Sequence, residues 1–301
     1  MTRQTKTFLR ERFREMGIEP VTRHGQNFLV DLNLVELIVA AADLRPQDVV
    51  LEVGTGTGSL TALMAPHVAA VVTVELDAHL FELASEQLVE LPNVTMLRLD
   101  ALRNKNNFDD RVQEAVGERL AAEPGRRLKL VANLPFNIAT PVVANLLLWP
   151  HVPHSMVVTI QKELADRIMA QPSTKDYGAL SVWMQSQATV ELVRTLAPSV
   201  FWPVPKVTSA VIRIVVDPVR RAAIGDLEYF HQFIKALFFH RRKFLRANVQ
   251  SALKRHASRD EIDGLLAAMD FAPDARTEQL DVATLLAFTK KVRALAPDWK
   301  L

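Results

Sequence analysis

Asn133-Leu134-Pro135-Phe136 follows directly on the apolar run Leu128-Lys129-Leu130-Val131-Ala132. An Asn-x-Pro-aromatic turn at the carboxyl end of a strand sets an amide oxygen, a backbone carbonyl and a π-face around one planar amine. The exocyclic nitrogen of adenine is such an amine, and a poor nucleophile, because its lone pair is delocalised into the ring. Hydrogen bonds accepted by the Asn133 side-chain oxygen and the Leu134 carbonyl favour a more tetrahedral nitrogen. Phe136 offers a face on which an extruded base can stack. The chemistry implied is methyl transfer to a base nitrogen, driven by alignment and desolvation, with no covalent intermediate and no metal.

A donor pocket is expected upstream. The apolar run Asp48–Val53 ends in Gly54-Thr55-Gly56-Thr57-Gly58, where missing side chains let the backbone turn sharply and approach a ligand. Glu75, 21 residues beyond Gly54, ends a second apolar run, in the position where a carboxylate accepts hydrogen bonds from ribose hydroxyls. Asp100 ends a third and could accept from an adenine amino group. The spacing Gly-x-Gly-x-Gly departs from the dinucleotide pattern Gly-x-Gly-x-x-Gly, and no phosphate-binding lysine follows the loop. S-adenosylmethionine therefore fits better than NAD, since it carries a ribose and an adenine but no pyrophosphate. Ser59 lacks a histidine–carboxylate partner, which argues against a hydrolase. His151 and His154 flank prolines without metal-ligand company and read as structural.

These residues need strands to hold them. Runs at 48–53, 70–74, 94–99 and 128–132 are nearly all apolar and alternate with helical patterns such as 78–89, which predicts an α/β fold with a parallel sheet covered on both faces. Each run ends in a glycine or polar element, and open α/β sheets bind ligands at those ends. Met156 to Ile160 reads as a strand, Gln161 to Ala170 as a helix, and Val190 to Leu196 with Val207 to Val216 as a closing β pair. From Tyr229 the period turns helical, with Phe230, Phe233, Ile234, Leu237 and Phe238 on one face. A boundary is expected near residue 217, between a first domain, 1–217, and a small all-helical domain, 218–301.

Composition bounds the function. The chain has 301 residues, 49% of them hydrophobic, enough for one sizeable core and a second, smaller one. Absence of cysteine excludes a disulfide scaffold and a thiolate metal site or nucleophile, and fits a reducing cytoplasm. Neither a signal peptide nor a membrane span is evident. Net charge is only +2, but nine Lys/Arg between Arg220 and Arg255 face only Asp226 and Glu228. With the basic arm formed by residues 1–22, this is a distribution that a polyanion-binding protein would show, and equally one that a solvated helix face and a disordered basic arm would give.

The ordered series of motifs resembles the ribosomal RNA adenine N6,N6-dimethyltransferases, which methylate adjacent adenosines near the 3′ end of small-subunit (16S) rRNA. The resemblance rests on Gly25–Asp31, Glu52–Thr61, Asn133–Pro141, Gln161–Glu163, Lys175–Gly178, Pro205–Val211 and Arg241–Lys243, and runs from about residue 23 to about 290. It implies a Rossmann-like class I methyltransferase domain, with S-adenosylmethionine contacts on Asn27, Leu29, Gly54, Glu75, Asp100 and Asn133. Gly25 to Leu29 would lie over the donor, with Gln26 helping to close the site. Asn133, Leu134 and Phe136 would form the catalytic turn. The family usually has Tyr where this chain has Phe136, so the stacking face is kept and a hydroxyl is lost. Arg241, Arg242, Lys243 and Arg246 would clamp RNA phosphates. The expected partner is 16S rRNA in an immature small ribosomal subunit, bound by a cytoplasmic monomer away from any membrane. The alternatives are the related macrolide-resistance enzymes, which act on 23S rRNA, and a non-catalytic assembly factor of the same fold.

Overall fold

The computed structural model describes residue 11, residues 13–15 and residues 27–301. In chain order the strands are β1 (Phe28–Leu29), β2 (Asp48–Val53), β3 (Ala70–Glu75), β4 (Val94–Arg98), β5 (Leu102–Asn104), β6 (Asn107–Phe108), β7 (Arg127–Asn133), β8 (Ser155–Gln161), β9 (Ala188–Leu196), β10 (Phe201–Trp202) and β11 (Ser209–Val216). Seven of them form one sheet in the order β4-β3-β2-β7-β8-β11-β9. Strands β4, β3, β2, β7 and β8 are parallel to one another, and β11 runs antiparallel to β8. The α/β class expected from the apolar runs is the class observed.

Every residue of β2 and β3 is buried, because helices cover the sheet on both sides and leave no polar face to display. On one side Val50, Val71, Val131 and Val157 meet Leu34, Val35 and Ile38 of the helix Leu32–Ala41 and Met64 of the helix Ser59–Met64. Full burial of each such side chain stabilises the fold by about 1.5–3 kcal/mol. The one lysine in the β7 run, Lys129, is buried too. Its Nζ lies 2.8 Å from Asp48 and donates to the carbonyls of Ala42 and Asp43 at 2.9 and 2.6 Å. A buried ammonium tolerates such a place only when paired and fully hydrogen-bonded.

The strand order reverses at β2, since β3 and β4 lie on one side of it and β7 on the other. The crevice at the carboxyl ends of β2 and β7 is therefore the topological switch point, where a ligand finds loops diverging above the sheet. The glycine loop leaves β2 there, and the Asn133 turn leaves β7.

The chain divides into two compact units. One takes the described residues up to Ala165 together with Glu191–Val215, and the other takes Asp166–Val190 with Val216–Leu301. The sequence reading ran the first domain unbroken to residue 217, whereas Asp166–Val190 belongs to the second unit. Long-range hydrogen bonds that local patterns do not announce hold it there: Tyr177 Oη donates to the Leu280 carbonyl at 2.9 Å and Ser173 N to that of Glu278 at 2.8 Å. Beyond Val216 the second unit is helical throughout, and its helix Leu227–Phe238 buries Tyr229, Phe230, Phe233, Ile234, Leu237 and Phe238.

Candidate active site

The cleft at the switch point is lined by Asn27, Gly54, Gly56, Glu75, Asp100 and Asn133, together with an apolar wall that includes Phe28, Leu80 and Leu99. Five of the six expected donor contacts thus meet in one place, from five segments of the chain.

Gly54 and Gly56 lie at φ +87° and +56°, a region that L side chains rarely adopt. A Cβ on Gly54 would stand 3.2 Å from Pro135 Cδ, and one on Gly56 would stand 3.4 Å from the Phe28 ring. The loop therefore passes between the catalytic turn and β1, with room for backbone alone. It is also tied to β3: Gly54 N and Thr55 N both donate to the Val74 carbonyl, at 2.8 and 3.2 Å.

Glu75 holds the other side of the loop. Its Oε2 accepts from Gly56 N at 2.9 Å and its Oε1 from Asp77 N at 3.0 Å. Each oxygen retains a lone pair for a ligand hydroxyl. Burial raises the Glu75 carboxyl above its ordinary range, against the pull of those backbone N–H groups. Asp77 caps the helix Ala78–Leu88 by accepting from His79 N and Leu80 N. Asp100 is exposed; its Oδ1 accepts from Leu102 N at 2.9 Å, and its Oδ2 has no partner among the described residues.

Beneath the loop, the fully buried Glu52 accepts from Thr61 Oγ1 and, at 2.7 Å, from Thr73 Oγ1, which lies 2.6 Å from Thr55 Oγ1. This hydroxyl–carboxyl chain fastens the loop's second residue to the sheet. Burial pushes the Glu52 carboxyl up to about 8, against the pull of the Thr61 and Thr73 hydroxyls and with a smaller push from the nearby Glu75.

The Asn133–Phe136 turn has a defined orientation. Asn133 Nδ2 donates to the Asn27 carbonyl at 2.8 Å, which leaves Oδ1 as the atom with acceptor capacity free. Leu134 is buried and its N donates to Thr159 O at 3.1 Å, while its own carbonyl accepts no hydrogen bond within the turn. Pro135 O instead accepts from Ile138 N at 3.1 Å, closing the turn. Asn133 Oδ1 is thereby an open acceptor on the cleft, whereas Leu134, predicted beside it, is not part of the cleft lining. Phe136 is half-buried and lies outside the cleft lining, although Pro135 and Asn137 on either side of it are part of that lining.

Leu29, the sixth expected contact, is not part of that lining, and its side chain packs against the core cluster that includes Leu34 and Phe201. Adjacent residues of a strand point to opposite faces, and in β1 Phe28 takes the cleft side. Phe28 was not singled out in the sequence, since a two-residue strand carries no periodicity. Phe13 was also missed, in a segment read only as a basic arm. Its buried ring meets Phe28 and Trp202 at 5.2 Å each and backs the wall of the cleft. Gln26 lies outside the described residues.

The expected phosphate clamp divides in two. Arg241 donates from one nitrogen to the carbonyls of Lys175 and Tyr177, both at 2.8 Å, and Arg246 grips Asp263 through two hydrogen bonds of 2.6 Å. Both guanidiniums therefore hold the second unit together, a use that charge counting does not reveal. The Arg242 and Lys243 side chains are exposed and make no ion pair or hydrogen bond among the described residues, while Lys243 N donates to the His240 carbonyl at 3.0 Å. Among those residues, no helix is long and apolar enough to cross a membrane.

The cleft suits S-adenosylmethionine. Its described lining offers carboxylates at Glu75, Asp77 and Asp100 and no Lys, Arg or His, which favours a sulfonium cation with ribose hydroxyls over a pyrophosphate.

The chain matches the family described as ribosomal RNA adenine dimethylase over residues 20–287. It is 36% identical to ribosomal RNA small subunit methyltransferase A of Lactiplantibacillus plantarum over 274 residues, covering 91% of this chain and 90% of that one. The protein of the same name from Geobacter metallireducens is 37% identical over 279 residues, covering 93% and 98%. Among solved structures, a dimethyladenosine transferase from Plasmodium falciparum superposes with a TM-score of 0.73 at 20% identity, covering 88% of this chain and 96% of that one. The 23S rRNA methyltransferase ErmE superposes with a TM-score of 0.61 at 24% identity, covering 88% and 99%. These two structural likenesses carry the fold.

Proposed function

The chain belongs to the ribosomal RNA adenine dimethylase family, and from that premise we propose that it dimethylates the N6 amines of two adjacent adenosines near the 3′ end of 16S rRNA. The observation that carries this reading is the convergence of Gly54, Glu75, Asp100 and Asn133 on one cleft at the switch point of the sheet.

Bound S-adenosylmethionine supplies an electrophilic methyl carbon on a sulfonium centre. Glu75 would accept hydrogen bonds from the ribose hydroxyls, and Asp100 Oδ2 one from the adenine amino group. The loop from Gly54 to Gly58 leaves space for the methionyl portion. Asn133 Oδ1 and the Leu134 carbonyl hold the two hydrogens of the target amine, which turns its lone pair out of conjugation and fixes its direction. The Asn133–Asn27 hydrogen bond keeps the amide from rotating, so the acceptor is in place before the base arrives. Phe136, at the edge of the cleft, stacks on the extruded adenine and needs no hydroxyl to do so.

Arg242 and Lys243 supply phosphate contacts outside the reaction centre. The partner is the immature small subunit, met in the cytoplasm by a monomer. Of the curated relatives compared above, both carry small-subunit names, which favours that target over 23S rRNA. Methyl-labelled donor incubated with immature small subunits and, separately, with 23S rRNA tests this: label should enter two adjacent adenosines of 16S rRNA alone. Label in 23S rRNA, or binding without transfer, would refute it.

A further inference from the structure

Phe239 is the most exposed large hydrophobic side chain among the described residues, at 80%. It directly follows the helix Leu227–Phe238, whose apolar stripe is already complete without it, so the core gives no reason for an aromatic ring there. Its one aromatic neighbour among the described residues is His240, edge-on at 4.9 Å. Phe244, five residues on, has an Arg276 guanidinium over its ring at 5.6 Å; no cation is placed over Phe239.

The surroundings are basic. No acidic residue occurs in the sequence between Glu228 and Asp260, and Arg242 and Lys243, three and four residues after the ring, are exposed. Phe239 also lines a groove of about 590 Å3 with Arg167, Lys235, Phe238 and Arg241, where Asp176 is the only acidic side chain among the described residues of the lining. That volume lies within the roughly 300–1,000 Å3 of small-ligand sites. The clamp from Arg241 to the Lys175 and Tyr177 carbonyls fixes one wall of the groove. An open ring beside unpaired cations has the two parts by which proteins hold single-stranded nucleic acid: a stacking face and a phosphate contact.

We propose that Phe239 is a stacking platform for an unpaired nucleobase of the rRNA, with Arg242 and Lys243 on the adjoining phosphates. This rests on the rRNA reading given above and adds a second base-binding point, built wholly from the second unit. Charge complementarity selects RNA over a protein partner, because an apolar protein contact has no use for the cations around the ring.

The test measures binding of the full-length protein to immature small subunits across a salt series. F239A should weaken binding by about 5- to 150-fold at every salt concentration, the effect of one lost base stack. F239W should bind like the wild type. The slope of log affinity against log salt should be unchanged in F239A and shallower in an R242Q/K243Q double variant. Thermal melting of F239A should match the wild type, since the ring supports no core. Wild-type affinity in F239A, equal weakening in F239A and F239W, or a shallower slope in F239A would overturn the platform while leaving methyl transfer intact. Failure of the wild type itself to bind these subunits would overturn both readings.

Discussion

Asn133 is a short side chain with two tasks on two atoms. Its nitrogen is committed to the Asn27 carbonyl, so its oxygen is the acceptor. N133A should lower single-turnover methylation by about 10²–10³-fold, the usual cost of losing one preorganised polar group at a reacting centre. Donor affinity, measured by calorimetry, should change far less, since Glu75 and Asp100 stand on other strands. Glu75 carries a pH signature. Its carboxyl is raised by burial, and the ionised form is the better acceptor for hydroxyls. Donor affinity should therefore rise with pH through the raised value and fall below it, and E75Q should bind weakly with a flat profile. A steep profile retained in E75Q would assign the titration to another group. Asn133, Glu75 and Asp100 were legible because each ends an apolar run. Phe28 and Phe13 were not, because an aromatic wall assembled from two distant segments leaves no local pattern.

At the scale of elements, the glycine loop and its support are the sensitive parts. G54A adds a Cβ 3.2 Å from Pro135 at a φ of +87°. The left-handed conformation alone costs about 1–2 kcal/mol, and the contact pushes the loop and the catalytic turn apart. Donor binding should fall in step with the loss of stability, which paired melting and calorimetry would show. Glu52 sets a pH dependence of stability. In the folded chain its carboxyl keeps its proton to about 8, while an unfolded glutamate ionises near 4.5. Between those values the native state binds more protons, so stability should fall as pH rises from about 5 to about 8. E52Q should flatten that slope in denaturant titrations; an unaltered slope would mean that Glu52 is ionised in the folded protein. The strands themselves could be read from sequence, since buried parallel strands are nearly all apolar. The placement of Asp166–Val190 could not, because Tyr177 and Ser173 reach hydrogen-bond partners about a hundred residues away.

For the whole molecule, the basic excess of the second unit resolves into structural and free charges. R241Q should lower the melting temperature, because it releases the Lys175 and Tyr177 carbonyls, and should alter the salt slope of RNA binding little. R242Q and K243Q should leave melting unchanged and each reduce that slope by roughly 0.7–0.9. Counting charges along the chain treats all four residues alike; only the fold separates those already paired from those open to phosphate. The most direct measurement is transfer from labelled donor to immature small subunits by wild type and N133A at matched donor occupancy, with the modified nucleotides mapped. Two adjacent dimethylated adenosines in 16S rRNA for the wild type, and almost none for N133A, are the predicted outcome. Equal transfer by both proteins would contradict the role given to the Asn133 amide and, with it, the mechanism built on the cleft.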